Sequence, residues 1–292
     1  MKNYKLISSI LGFVLVVKVA GNAVDPPPLT FTFHRANVPG AIGTAPNGIN
    51  NTGVIVGEYE DKNKVRHGYI LRGKKLTKLD HPNGTDTYCF HLPPNSAISV
   101  VGSYTNSSGY SVGFIYKSGK FTDIPGPQGA TSSVAWGIND RGIIVGWYTD
   151  SAGINHGFLL KGKTYTTLNV PGASNTWAEG INNKGIMVFR WMNSAGGNKA
   201  SIYDGKTYKE INVPGASETI VEGINNEGDV IYQWIDSNFV SHSALLHDGK
   251  YYKFDYPKSV DTWGGGINDK STIIGIYATR QNINLGYRAT YK

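Results

Sequence analysis

The tripeptide Gly-Ile-Asn occurs at Gly48-Ile49-Asn50, Gly137-Ile138-Asn139, Gly180-Ile181-Asn182, Gly223-Ile224-Asn225 and Gly266-Ile267-Asn268. The last four copies are 43 residues apart, and the first gap is about twice as long. A worn copy fills that gap: "PPNSAISVVGSY" from Pro93 to Tyr104 aligns with "GINNTGVIVGEY" from Gly48 to Tyr59. The chain is therefore six units of 43 to 45 residues. A self-similar period of this length restricts the fold to architectures in which each unit is one supersecondary element.

Each unit divides into four strand-like pieces. In the third they are Thr131–Asn139, Ile143–Tyr148, His156–Leu160 and Thr164–Val170. Turn formers separate them: Asp140-Arg141-Gly142, the stretch Thr149–Gly153 and Lys161-Gly162-Lys163. Helical spacing is absent from the repeats, which excludes a helical solenoid, and a β-helix repeat is shorter. The prediction is an all-β, six-bladed β-propeller of four-stranded blades. Its ends carry further information. The last unit stops after its third strand, Leu285 to Lys292, whereas "LTFTFHRANVPGA" (29–41) matches fourth strands such as "KTYTTLNVPGA" (163–173). Residues 29–38 are expected to complete blade six and close the ring, which removes two open sheet edges. Small residues such as Ala178, Gly180, Gly223 and Gly264–Gly266 suit first strands crowded at the axis.

The repeated unit, of the form G-I-N-D-x-G-x-I-V-G-x-Y with a following H-G-F, resembles the HAF-type extracellular repeat of bacteria, named for a His-Ala-Phe-like tripeptide. Here that tripeptide reads His67-Gly68-Tyr69 and His156-Gly157-Phe158, and it drifts in the other units, as in Val112-Gly113-Phe114 and Leu285-Gly286-Tyr287. The resemblance implies a secreted or envelope repeat protein and carries no catalytic residues with it.

The N-terminal residues read as an export signal. Lys2 and Lys5 precede a short apolar run, Leu6 to Val17, and Gly21-Asn22-Ala23 places small residues at a cleavage site. The reading is a signal peptide over 1–23 and a single propeller domain over 24–292, secreted to an extracellular or periplasmic location. The apolar run is short for a membrane span, so none is expected in the mature chain. With Lys2, Lys5 and Lys18 removed, 25 basic residues face 21 acidic ones, a net charge of +4. No basic stripe appears, which argues against nucleic acid as a partner. Cys89 is the only cysteine and rules out an internal disulfide. A monomer is expected.

His67, His156 and His242 share one register on third strands of alternate blades, where they diverge. Each is expected to bond within its own blade, and no metal site or cofactor is assigned. Glu179 and Glu222 share a register on adjacent first strands near the axis, where paired carboxylates can bind a ligand or exchange protons. An aromatic ends every second strand (Tyr59, Tyr104, Tyr148, Trp191, Trp234 and Tyr277), a regularity that points to interblade packing. Trp177 and Trp263 begin first strands at that same end of the blades, Trp136 lies close to the end of its own, and the irregular tryptophans Trp136, Trp147, Trp177 and Trp263 are the better binding candidates. With Glu179 and Glu222 they form the candidate ligand-binding set. Flat apolar rings beside hydrogen-bonding groups suit sugar rings and peptides. The third-to-fourth-strand turns, holding residues such as Lys74, Lys117, Lys161 and Lys206, fall on the opposite face and read as solvated. No Gly-x-Ser-x-Gly elbow or acid-rich Ca²⁺ loop is present, so no catalytic residue is assigned. The expected function is a non-catalytic binding module for a carbohydrate or protein partner. The alternatives are a carbohydrate-active lyase or hydrolase using the Glu179–Glu222 region and a structural cell-surface repeat protein.

Overall fold

The computed structural model describes residues 29–292 except 97, 98, 214 and 282, and the proposed export signal lies outside the described residues. Six four-stranded antiparallel sheets follow one another in sequence. Blade one is Gly43–Ile49, Ile55–Glu60, Arg66–Arg72 and Lys75–Leu79; blade two is Gly84–His91, Ser99–Asn106, Ser111–Lys117 and Lys120–Ile124. Blade three is Ser132–Ile138, Ile144–Thr149, Asn155–Lys161 and Thr164–Leu168; blade four is Asn175–Ile181, Met187–Met192, Asn198–Tyr203 and Tyr208–Ile211. Blade five is Glu218–Ile224, Val230–Ile235, Ser241–His247 and Lys250–Phe254. Blade six takes Thr262–Ile267, Thr272–Ala278 and Asn284–Tyr291, and its fourth strand is Phe31–Arg35 from the other end of the chain. Phe31 pairs with Tyr291 and Arg35 with Tyr287, so the predicted ring closure is present.

One apolar cluster occupies each junction between successive blades. Because a blade is packed on both faces, its second strand runs apolar without alternation, as in Val100-Val101 and Ile273-Ile274, all fully buried. The third-strand tripeptides acquire a physical meaning here. Their last residues Tyr69, Phe114, Phe158 and Tyr287 are fully buried between blades. Their histidines pack against the aromatic that ends the second strand of the same blade, stacked for Tyr148–His156 and Trp234–His242 at 5.1 and 4.4 Å between ring centroids and tilted for Tyr59–His67 at 5.2 Å. The same three aromatics also pack against the apolar clusters between blades, as Trp191 does, so the expected interblade role is present. It extends to Tyr104 and Tyr277, which stack on His81 and Tyr256 from the preceding blade's outgoing link.

The Gly-Ile-Asn marker proves to be an interblade fastener. The Asn182 Oδ1 accepts from the backbone N–H of Lys184 and Ile186, closing its own turn, while its Nδ2 donates to the carbonyl of Asn225 in the next blade at 3.1 Å. Asn139, Asn225 and Asn268 repeat the cross-blade bond. The residue that follows builds a second, closed ring through Asn51, Asn95, Asp140, Asn183, Asn226 and Asp269. These turns therefore do more than reverse the chain: their side chains tie neighbouring blades together. In blade two, Pro93-Pro94 replaces the marker, and the Nδ2 of Asn50 is left without a partner. Asn182→Ala should cost about 2–3 kcal/mol of stability and Asn50→Ala about 1 kcal/mol less, since only the first loses a cross-blade bond. Urea denaturation of both variants checks this; equal losses would remove the fastening role.

At the axis the first strands approach so closely that glycine is required. A Cβ on Gly48 would sit 2.5 Å from the Phe90 carbonyl oxygen, and one on Gly266 would sit 2.7 Å from the Asn47 carbonyl oxygen.

Candidate functional site

Every first strand breaks its ladder near the middle, with register shifts at Pro46/Gly48, Cys89/His91, Ala135/Gly137, Ala178/Gly180, Val221/Gly223 and Gly264/Ile267. A bulge leaves one residue unpaired and re-aims its side chain. The residues so placed are Asn47, Phe90, Trp136, Glu179, Glu222 and, in blade six, Gly265 with Gly266. On the innermost strand that direction is the central channel. Position 90 was hidden from the repeat alignment because blade two carries two extra residues between this bulge and its Ser99–Asn106 strand.

In blades one, four and five the second strand supplies a partner one position past the residue that pairs beside the bulge, Gly57, Phe189 or Tyr232. Asn47 Nδ2 donates to Glu58 Oε2 at 2.5 Å, and Gln233 Nε2 donates to Glu222 Oε1 at 2.6 Å. Arg190 Nε lies 3.2 Å from Glu179 Oε1, and its guanidinium covers the Trp177 ring at 4.3 Å. Glu58, Arg190 and Gln233 were not singled out from sequence. The signal was present, since each is a polar residue inside an otherwise apolar second strand.

These groups frame a cavity of about 220 Å³ at one end of the channel. Its aromatic walls are Phe90, Trp136 and Trp263; its polar walls are Asn47, Glu58, Glu222 and Gln233. Phe90 stacks on Trp136 at 4.1 Å, and Trp147 leans on Trp136 at 5.2 Å. His91 forms the floor. Its Nδ1 lies 3.1 Å from the Trp136 carbonyl, which can only accept, so Nδ1 carries the proton. Its Nε2 has no partner and reaches across the axis toward Gly223 of blade five. Beyond His91 the channel narrows to a cavity of about 30 Å³ ringed by Ile49, Leu92, Ile138, Ile181, Ile224 and Ile267. Of the six residues singled out from sequence, Trp136, Trp263 and Glu222 line the larger cavity. Trp147 backs Trp136, while Trp177 and Glu179 are buried around Arg190.

Burial pushes the Glu58 carboxyl up to about 7, against the opposing bond from Asn47 and the field of Arg66. Glu222 is raised by burial and then by the charge of Glu179; Glu179 is raised by burial against the pull of Arg190. Burial lowers His91 to about 4, so the imidazole is neutral. A carboxyl raised in the folded state holds its proton where the unfolded chain has lost it, so stability falls as pH rises from about 4.5 to 7. Glu58→Gln should match the parent at pH 4.5 and exceed its stability by about 2–3 kcal/mol at pH 8. Denaturant titrations at the two pH values test this, and a constant difference would contradict it.

The three third-strand histidines stay in their own blades, as expected. His67 Nδ1 is 2.8 Å from Asp80, His156 Nε2 is 3.0 Å from Asp150 and His242 Nδ1 is 2.8 Å from Asp255. Among the described residues no group of three or more His, Cys, Asp or Glu side chains is arranged to hold a metal ion, and no helix is long and apolar enough to cross a membrane.

The fold and this channel define a six-bladed β-propeller with a mouth open at one face. No family model matches the chain, and no curated protein matches it in sequence. Solved structures do share the fold. AofleA from Arthrobotrys oligospora superposes with a TM-score of 0.57 at 10% identity, over 89% of this chain and 86% of that one. A TolB-like protein from Agrobacterium tumefaciens gives 0.59 at 12% identity, over 91% and 98%. The SapL1 lectin, solved in complex with α-methyl fucoside, gives 0.58 at 7% identity, over 85% and 93%.

Proposed function

We propose that the protein is an exported propeller lectin that binds a sugar ring at the mouth of its central channel without turning it over. The observation that carries this reading is the cavity itself. Three aromatic faces, Phe90, Trp136 and Trp263, stand around two carboxyls and two side-chain amides. Apolar ring faces pack against sugar C–H groups, while carboxyl and amide groups bond hydroxyls and fix orientation. At about 220 Å³ the cavity is smaller than the ~300–1,000 Å³ of drug-sized sites and suits a single ring or a chain end. The lectin among the fold relatives, solved with a fucoside, supports a sugar as ligand. The charged N-terminus with its apolar run supports secretion to an extracellular or periplasmic setting, and the HAF-type resemblance supports a bacterial envelope repeat protein. The working unit is a monomer.

A glycan screen of residues 24–292 tests the proposal. Retention of at least one saccharide class, with the saccharide unchanged after prolonged incubation, is the expected result. Cleavage of the bound sugar would move the protein to the enzyme reading, with the raised carboxyls as acid and base. Absence of any saccharide binding would favour a protein partner.

A further inference from the structure

The mouth holds more carboxyl groups than neutral sugar hydroxyls require. Glu58 and Glu222 line the cavity, while Glu179 is buried against Arg190. Arg66 reaches Glu58 only through its field; its own contacts are Glu60 at 3.8 Å and the Tyr88 hydroxyl. Glu58 and Glu222 are each engaged by one neutral amide, a weak counterpart for a buried carboxylate. One acceptor atom of the cavity lining, His91 Nε2 in the floor, is buried without a partner. It accepts an N–H or O–H bond, because Nδ1 has committed the imidazole's one proton to the Trp136 carbonyl. The remaining walls, Phe90, Trp136 and Trp263, offer electron-rich faces that attract cations. The carboxyls, the unpartnered His91 Nε2 and the aromatic faces that line the cavity therefore favour a donor-rich positive group.

Resting on the reading of the mouth as a sugar site, we propose that its preferred ligand is a hexosamine with a free, protonated amine. The ammonium sits among Glu58, Glu222 and the aromatic faces while the ring stacks on Trp263. Burial holds the carboxyls largely protonated around neutral pH, so an arriving ammonium displaces protons. The charged and titratable groups facing them are Glu58, Glu179, Glu222, Arg66, Arg190, His91, Tyr69 and Cys89. Binding should release protons and strengthen as pH rises from about 5.5 to 7.5, before the amine itself deprotonates. A second cavity of about 150 Å³ shares Glu58 and Ile276 with the first and is lined further by Glu60, Arg66 and Asn284, which gives a following sugar unit a place beside the first.

The test compares glucosamine, N-acetylglucosamine and glucose by calorimetry, with short free-amine and N-acetylated oligomers of the first two. Runs in two buffers of different ionisation enthalpy count protons. The expected result is at least 10-fold tighter binding of the free-amine forms with proton release. The preference should narrow to within about 3-fold in Glu58→Gln/Glu222→Gln. Equal or tighter binding of the neutral forms, or a preference that survives the double substitution in folded protein, overturns the amine inference and leaves the sugar reading standing. Failure of every saccharide, charged or neutral, overturns both. The proton count on the unmodified protein keeps the test decisive if the double variant does not fold.

Discussion

Removing residues 29–36 should cost at least about 3 kcal/mol of stability and make the opened ring self-associate. The segment contributes five paired positions along Asn284–Tyr291, and the bond from the Ala36 N–H to the Gly286 carbonyl. Phe31 stacks on Phe254 at 4.4 Å, and Phe33 meets Tyr256 and Tyr287 edge-on at 5.6 and 5.8 Å. Full burial of a phenylalanine is worth about 1.5–3 kcal/mol, and these two are partly buried, so together they supply about 3 kcal/mol before the ladder bonds are counted. The second consequence is topological. Without Phe31–Arg35, the strand Asn284–Tyr291 presents an unpaired edge beside exposed aromatics, which is a template for another chain. Thermal melts and light scattering of the shortened chain are the measurement. A monodisperse protein with an unchanged melting temperature would mean that the N-terminal strand is ornamental to the ring.

The second large effect concerns the site. Trp263→Ala and Trp136→Ala should each weaken ligand binding by about 2–3 kcal/mol, roughly 30- to 150-fold, because truncated aromatic anchors at the centre of a desolvated site carry most of its energy. The two should differ in their side effects. Trp136 is braced by Phe90 and Trp147, and its indole Nε1–H points to the Glu222 carbonyl at 3.5 Å, long for a hydrogen bond, so its loss also loosens the walls. Trp263 pairs in the ladder opposite Ile276 and lines the cavity without such bracing. Trp263→Ala is therefore the cleaner probe, with a melting temperature near that of the parent. Trp177→Ala should act differently, by freeing the Arg190 guanidinium from its cation–π contact and disturbing Glu179 beneath it. Titration of the three variants with the saccharide found in the screen would sort them. Unchanged affinity in Trp263→Ala would remove the channel mouth as the binding site.

The architecture was legible because its causes are local and repeated. Gly48, Gly137 and Gly180 mark strands that crowd the axis, turn glycines such as Gly142 with φ of 71° mark hairpins, and Phe31 with Phe33 mark the displaced fourth strand. The register shared by Glu179, Glu222 and Trp136 was also readable, since the period places them equivalently. The site was only half readable, because it is built where the repeat is broken. Phe90 and His91 fall in the worn unit, where two inserted residues shift the register. Glu58 and Gln233 acquire meaning only when a bulge on the neighbouring strand turns Asn47 and Glu222 toward them. The cross-axis reach of His91 from blade two to blade five depends on the ring having closed, which no local pattern encodes.

A crystal structure of the protein soaked with its saccharide tests the central claim most directly. A sugar ring against Trp263 at the channel mouth, within hydrogen-bond distance of Glu58 or Glu222, is the predicted result. A sugar lodged in the grooves between blades, with the mouth holding only solvent, would contradict it.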